Sequence, residues 1–194
     1  MKKSILSVII AILLAETTFC QINPVQDTAS LNSKLFDFNK SRNRITSNGL
    51  KALGVWSVAN VGASSYGYYN SHGSDEYFNQ MNVMWNSVNI AIVAASLLPK
   101  QKNNLDFIGS LKAQHSVETI YISNAVLDLV YSSIGLYLTE KAKSDIPNAA
   151  KWNGWGNSLI MQGGFLFLLD TSMFMVHKKH GKKIYKMIDG TMIH

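Results

Sequence analysis

Four stretches of this chain are almost free of charge, and they constrain the fold more than any motif does. Lys, Arg, Asp and Glu are absent from Ala52–Ser74 and from Tyr77–Pro99. Thr119–Thr139 contains Asp128 as its single charge, and Trp152–His177 contains Asp170. About 20 helical residues cover the ~30 Å of bilayer hydrocarbon, so each stretch can cross. A soluble four-helix bundle would carry a charged stripe along every helix, and these segments carry none. Charged residues make up 15% of the chain, against about 25% in a soluble domain. The expected fold is all-α: a four-helix transmembrane bundle.

The amino terminus has the three-part layout of a secretory signal peptide. Met1–Lys3 is basic, Ser4–Ala15 is mostly apolar, and Glu16–Gln21 is short and polar. Thr18 and Cys20 are small enough for a cut before Gln21. Lipidation of Cys20 is disfavoured by the bulky Phe19 before it. With one cysteine in the chain, neither an internal disulfide nor a Cys-based metal site can form.

The expected domains are residues 1–20 as a cleaved signal, 21–45 as a polar extramembrane segment, 46–178 as the membrane bundle and 179–194 as a basic tail. Thr46-Ser47-Asn48 offers N-cap candidates for the first helix. The second is expected from Tyr77 to Leu98, ended by Pro99. The third runs from about Ser116, or as early as Ser110, to Thr139, and the fourth from Asn153 to His177.

Two topological signals conflict. The amino flank, the 100–115 loop and the tail share one membrane face, and with Lys2 and Lys3 of the signal set aside they hold thirteen Lys and Arg. The opposite face holds three: Lys141, Lys143 and Lys151. The positive-inside rule places the first face in the cytoplasm, whereas a cleaved signal followed by four spans places it outside. The net charge of +6 lies beside the spans, which suits anionic lipid and gives no reason to expect nucleic acid. The bilayer is therefore the expected partner, with a membrane protein or a second copy of the chain as a further one.

Asn60–Tyr69 aligns without gaps with Asp128–Tyr137. Ser64, Ser65, Gly67 and Tyr69 face Ser132, Ser133, Gly135 and Tyr137. Either the bundle is two repeated helical hairpins, as in some transporters, or two apolar helices rich in Ser and Gly are alike by chance.

Helical spacing gathers the polar and small residues into stripes. These are Ser57, Asn60, Ser64 and Gly67; then Asn82, Asn86, Asn89 and Ser96. The third is Asn124, Asp128, Ser132 and Gly135, with Tyr131 beside it, and the fourth Gly156, Gly163, Asp170 and His177. Membrane helices approach through small residues and hydrogen-bond through Asn and Ser, so each stripe should face the bundle axis. At about 1.5 Å per residue from the 71–80 loop, Asn60, Asn89 and Asp128 lie roughly 12–18 Å deep, and Asn124 and Asp170 roughly 24–26 Å. Two polar layers result, without a Lys or Arg in any span. Asp128 is expected to be neutral or water-bound. It is either a hydrogen-bonded pin to Asn60 or Asn89, with Asp170 pinned to Asn124, or a proton- or cation-binding group. The candidate intramembrane site is thus Asp128, Asn60, Asn89, Asn124, Asp170 and Tyr131.

His115, Glu118, His177 and His180 lie at helix ends on one membrane face, as weak candidates for a metal. The four Trp fit an interfacial aromatic belt. No phosphate loop, GxSxG, HExxH or CxxC is present, so no catalytic residue and no cofactor is expected.

The motifs Gln80-Met81-Asn82-x-x-Trp85-Asn86-x-x-Asn89, Asn124-x-x-x-Asp128-x-x-Tyr131 and Gly154-Trp155-Gly156…Gln162-Gly163…Asp170 carry a resemblance. Over about residues 40–178 the chain resembles an uncharacterised bacterial family of small signal-peptide-bearing integral-membrane proteins with four helices. The resemblance implies the architecture and no activity; the expected location, the bacterial inner membrane, follows from the spans and the signal peptide. Three functions compete: a non-enzymatic binding or scaffolding protein, a proton, cation or small-solute carrier using Asp128, and a metal-dependent enzyme at the histidine face.

Overall fold

The computed structural model describes residues 24–98 and 101–189. The expected signal peptide and Pro99 lie outside them. Four helices carry the fold: α1 (Pro24–Asn70), α2 (Ser74–Leu97), α3 (Phe107–Lys141) and α4 (Ala149–Asp189), the last entered through a 3₁₀ turn at Ile146–Asn148. Among the described residues there is no strand.

The helices are longer than the uncharged stretches that announced them. At 1.5 Å per residue α1 is about 70 Å long and α4 about 60 Å, each roughly twice the hydrocarbon thickness. Thr46-Ser47-Asn48 does not start a helix. Thr46 Oγ1 donates to the Arg42 carbonyl at 3.2 Å, a back-bond from inside α1. The physical reason is that residues 25–48 contain neither Gly nor Pro, while Leu31, Leu35 and Phe38 form an apolar face that packs on Ile184 of α4. The same contact carries α4 past His177, through the lysines, to Asp189. Helix α3 begins at Phe107, where the Asp106 carboxylate caps it by accepting from Gly109 N at 2.7 Å.

The α1–α2 connection is three residues long and turns at Gly73, whose φ of 64° is costly for any side chain. So short a link makes α1 and α2 antiparallel neighbours. Helix α4 touches all three other helices, whereas α2 and α3 make no backbone-level contact. Glycine allows α4 its close approaches. A Cβ on Gly154 would strike the Ser74 carbonyl oxygen of α2. One on Gly163 would lie 2.8 Å from the Asp128 carbonyl oxygen of α3.

The distribution of polarity is inverted. Among the described residues sixteen polar or charged side chains are buried and eight hydrophobic ones. Outside, Val58, Val126, Leu136 and Leu168 are 58–67% exposed. Two segments, Phe107–Lys141 and Ile146–Met187, are long and apolar enough to cross a membrane, each holding an 18-residue window whose mean hydropathy is 1.2 and 1.6 respectively. The asparagines of α2, and the Ser, Gly and Tyr residues with Asn60 in the second half of α1, keep those two helices below that level.

Candidate functional site

The missing contact between α2 and α3 leaves a cleft of about 530 Å³ open at the side of the bundle. Leu50 and Leu53 of α1 and Leu166 of α4 form much of its back wall. Val88 and Ile92 of α2 stand across its mouth from Ile120 and Leu127 of α3, all four about half exposed or more. At one end Trp85 meets Tyr131 edge to face, with ring centroids 4.7 Å apart. This aromatic pair is the bridge between two helices whose backbones stay apart.

The polar groups of the cleft sit deep. Asp128 and Asp170 are 4% and 8% exposed. Their carboxyls lie within hydrogen-bonding reach of each other, and Asn124 lies within reach of Asp170. The expected two layers are therefore one. Side chains lean toward the amino end of their helix. Because α3 and α4 are antiparallel, the Asp128 and Asp170 carboxyls lean toward each other and close the backbone offset that the depth count measured. Among the described residues Lys and Arg are absent from the side chains lining the cleft. Among the described residues three buried polar atoms of the cleft have no complementary donor or acceptor: Trp85 Nε1, Asn89 Nδ2 and Asp128 Oδ2.

Asn60, expected beside Asp128, is elsewhere. Its amide donates to the Trp56 carbonyl at 2.9 Å, and its Oδ1 accepts from Gln162 at 3.5 Å. It borders a separate polar core at the α1–α2–α4 contact. There Asn82 Oδ1 accepts from Ser158 Oγ and from Gln162 Nε2, both at 2.8 Å. Gln162 Oε1 accepts from Trp56 Nε1 at 3.0 Å. Pinning of Asp128 to Asn60 is thereby replaced by the Asp128–Asp170 pairing. Asn60 and Asp128, which face each other in the gapless alignment of the two segments, occupy unlike environments.

Two of the tryptophans leave the expected belt. Trp56 stacks on Phe165 with centroids 3.8 Å apart, and Trp85 walls the cleft. Trp152 and Trp155 do lie at a bundle end, under Lys141 and Lys151 at 4.1 and 4.5 Å.

At the other end, α1, α3 and α4 form a cap. Arg42, buried, donates to Asn39 Oδ1 at 2.6 Å, and Asn39 donates to Ser110 Oγ at 2.8 Å. Gln114 Nε2 donates to the His177 carbonyl at 2.8 Å and to Glu118 Oε1 at 2.9 Å. That leaves Gln114 Oε1 as the acceptor facing His180 Nδ1 at 3.2 Å, so the neutral ring carries its proton on Nδ1. Burial first, then the charges of Lys183, His177 and Arg42, push the His180 imidazole down to about 4. The four metal candidates do not converge. His115 is exposed and faces the Tyr185 hydroxyl at 3.3 Å, and Glu118 pairs with Lys178 at 3.5 Å. Among the described residues no three His, Cys, Asp or Glu are placed to hold a metal ion.

Sequence reasoning passed over Arg42, Gln114 and Ser158. Ser158 and Gln162 are four apart on the face that starts at Gly154, a spacing that could have found them. Arg42 and Gln114 lie outside the uncharged stretches, in segments whose composition does not mark an interior position.

Fold and cleft define a class: an all-helical bundle with a polar interior, an apolar exterior and an acid-lined cleft open at its side. A family model described as Family of unknown function (DUF6992) matches residues 52–171, and the chain belongs to that family. The match takes in Asn82, Asn89, Asn124, Asp128, Gln162 and Asp170, while most of the cap lies beyond it. No curated protein and no solved structure matches the chain.

Proposed function

We propose that this chain is an integral protein of the bacterial inner membrane, crossing it with all four helices and acting as a non-enzymatic binding protein. Its ligand is a small amphiphile dissolved in the bilayer, taken sideways into the α2–α3 cleft. One observation carries this reading: a cleft with buried, unpartnered polar atoms at its back opens between Val88, Ile92, Ile120 and Leu127. Apolar side chains exposed at that mouth suit lipid, and the inverted polarity of the bundle suits a solvent of hydrocarbon. A volume of about 530 Å³ falls in the ~300–1,000 Å³ range of small-molecule sites.

The test is native mass spectrometry of the protein ejected from lipid nanodiscs. One bound amphiphile per chain is expected, and its loss in Leu127→Trp, whose indole fills the mouth. Wild-type spectra without an adduct would overturn the reading.

A second reading keeps Asp128 as the group that takes up a proton or cation in a carrier. The unpartnered Asp128 Oδ2 and the lack of a Lys or Arg around it favour this. In proteoliposomes it requires a flux driven by a pH or cation gradient that Asp128→Asn abolishes.

A further inference from the structure

The ligand of the cleft can be given a charge. Resting on the lateral-cleft reading, we infer that the cleft takes a long-chain amine, its protonated nitrogen held by Asp128 and Asp170 and its chain lying between α2 and α3.

Charge complementarity comes first. Two carboxyls side by side in a dry site cannot readily both ionise, so the pair carries at most one negative charge, and a cation seated between them is what would favour that charge. Among the described residues Lys and Arg are absent from the cleft lining, and the salt bridges lie elsewhere, at Lys143–Glu140 and Lys178–Glu118. The compensating cation is then supplied by the ligand. A carboxylate or phosphate head would instead meet a like charge, which costs several kcal/mol in a dry interface.

The unpartnered atoms give the head its shape. Asp128 is 4% exposed with Oδ2 free, an acceptor for an ammonium N–H. Asn89, 6% exposed with Nδ2 free, and Trp85, with Nε1 free, are donors. They suit an oxygen on the carbon next to the amine. Trp85 and Tyr131, set at 78° to each other, offer ring faces that attract a cation.

The walls give the tail. Leu50, Leu53, Val88, Ile92, Ile120 and Leu127 line the remainder of the cleft. They make it suited to alkyl chain and to entry from the bilayer, in contrast to a short, water-soluble amine.

The experiment measures equilibrium binding of tritiated 2-aminododecan-1-ol to the purified full chain in nanodiscs. Dodecanol, dodecanoate and butylamine are the competitors. Dodecanol is expected to compete at least tenfold more weakly than the unlabelled amine, and dodecanoate and butylamine not at all. Asp128→Asn and Asp170→Asn should each weaken the amine at least tenfold and change dodecanol binding less than twofold. Retained dodecanol binding also shows that these variants fold. Equal affinity for amine and alcohol, both lost in Leu127→Trp, overturns the amine and leaves the cleft reading intact. Competition by butylamine at the strength of the long-chain amine overturns the bilayer as source. Failure of every amphiphile to bind overturns both.

Discussion

Gly135 of α3 and Gly156 of α4 meet backbone to backbone. A Cβ on either would lie 2.7 Å from the carbonyl oxygen of the other. With no side chain at either position, the two backbones are in direct contact here, and this crossing sets the height at which α3 and α4 pass. It also fixes which residues of the two helices can face each other further along, Asp128 and Asp170 among them.

The neighbouring glycines of α4 turn this into a test. Gly163 has the Asp128 carbonyl oxygen at 2.8 Å from a would-be Cβ, and Gly164 has nothing within 4 Å. Gly163→Ala should destabilise the bundle by about 1–3 kcal/mol through overpacking. Gly164→Ala should be neutral, or gain up to about 1 kcal/mol from the better helix former. Thermal unfolding of both variants in one detergent checks this, and equal melting temperatures would contradict the packing described.

The buried amide core makes a second prediction. Gln162→Leu removes the acceptor of Trp56 Nε1 and one of the two donors to Asn82 Oδ1. Gln162 is fully buried, so losing its bonds to Trp56, Asn60 and Asn82 together should cost about 1–3 kcal/mol. Trp155→Phe removes a bond to Gln80 of similar length, 3.1 Å, in a half-buried place. Water can replace that partner, so the loss should be about 1 kcal/mol or less. A Trp155 variant falling as far as Gln162→Leu would count against the ranking.

Much of the interior was legible in the sequence, for a physical reason. A polar residue in an uncharged helix must find a partner inside, so Ser57, Ser64, Asn82, Asn86 and Asn89 could be turned inward from spacing alone. Each is buried. Charge counting could not see that α1 and α4 run far beyond the uncharged stretches. The cap is built from residues such as Arg42 and Gln114 that look like ordinary connection. Depth arithmetic put Asp128 and Asp170 in separate layers because it tracks the backbone, and opposed side-chain lean is a property of the packed pair. The cleft was invisible for a related reason. It exists because α2 and α3 do not meet, and no single helix encodes a contact that is missing.

The cap should be acid-sensitive through His180. Its folded imidazole is held down to about 4 by burial, while an unfolded histidine titrates near 6.5. Below about pH 6.5 the unfolded chain therefore binds a proton that the folded chain refuses. The stability that this group contributes is fully present above that pH and is lost as pH falls toward about 4. Melting temperature followed from pH 7.5 to 4.5 should drop more steeply in the wild type than in His180→Phe, which keeps an aromatic ring against Phe38. Parallel profiles would mean that His180 does not titrate in this way.

The fold also predicts which ends share a side of the membrane. Phe38 of α1 stacks on His180 of α4 at 4.4 Å, and Asn43 donates to Asn103 Oδ1 at 2.8 Å. The start of α1, the 101–106 loop and the end of α4 therefore lie together, with the Lys143 turn at the far end. In a Cys20→Ser background, single cysteines at Lys34, Lys102 and Lys186 should react with a membrane-impermeant maleimide from one side of intact cells or inverted vesicles. A cysteine at Lys143 should react only from the other. Four crossings require that split, and labelling of all four sites from one side would remove them. The absolute side then decides between the two opposed signals of the sequence. Cap labelling from outside follows if residues 1–20 are cleaved as a signal. Labelling from the cytoplasm follows if the thirteen basic residues of that face dominate, and residues 1–20 would then not act as a cleaved signal ahead of four spans.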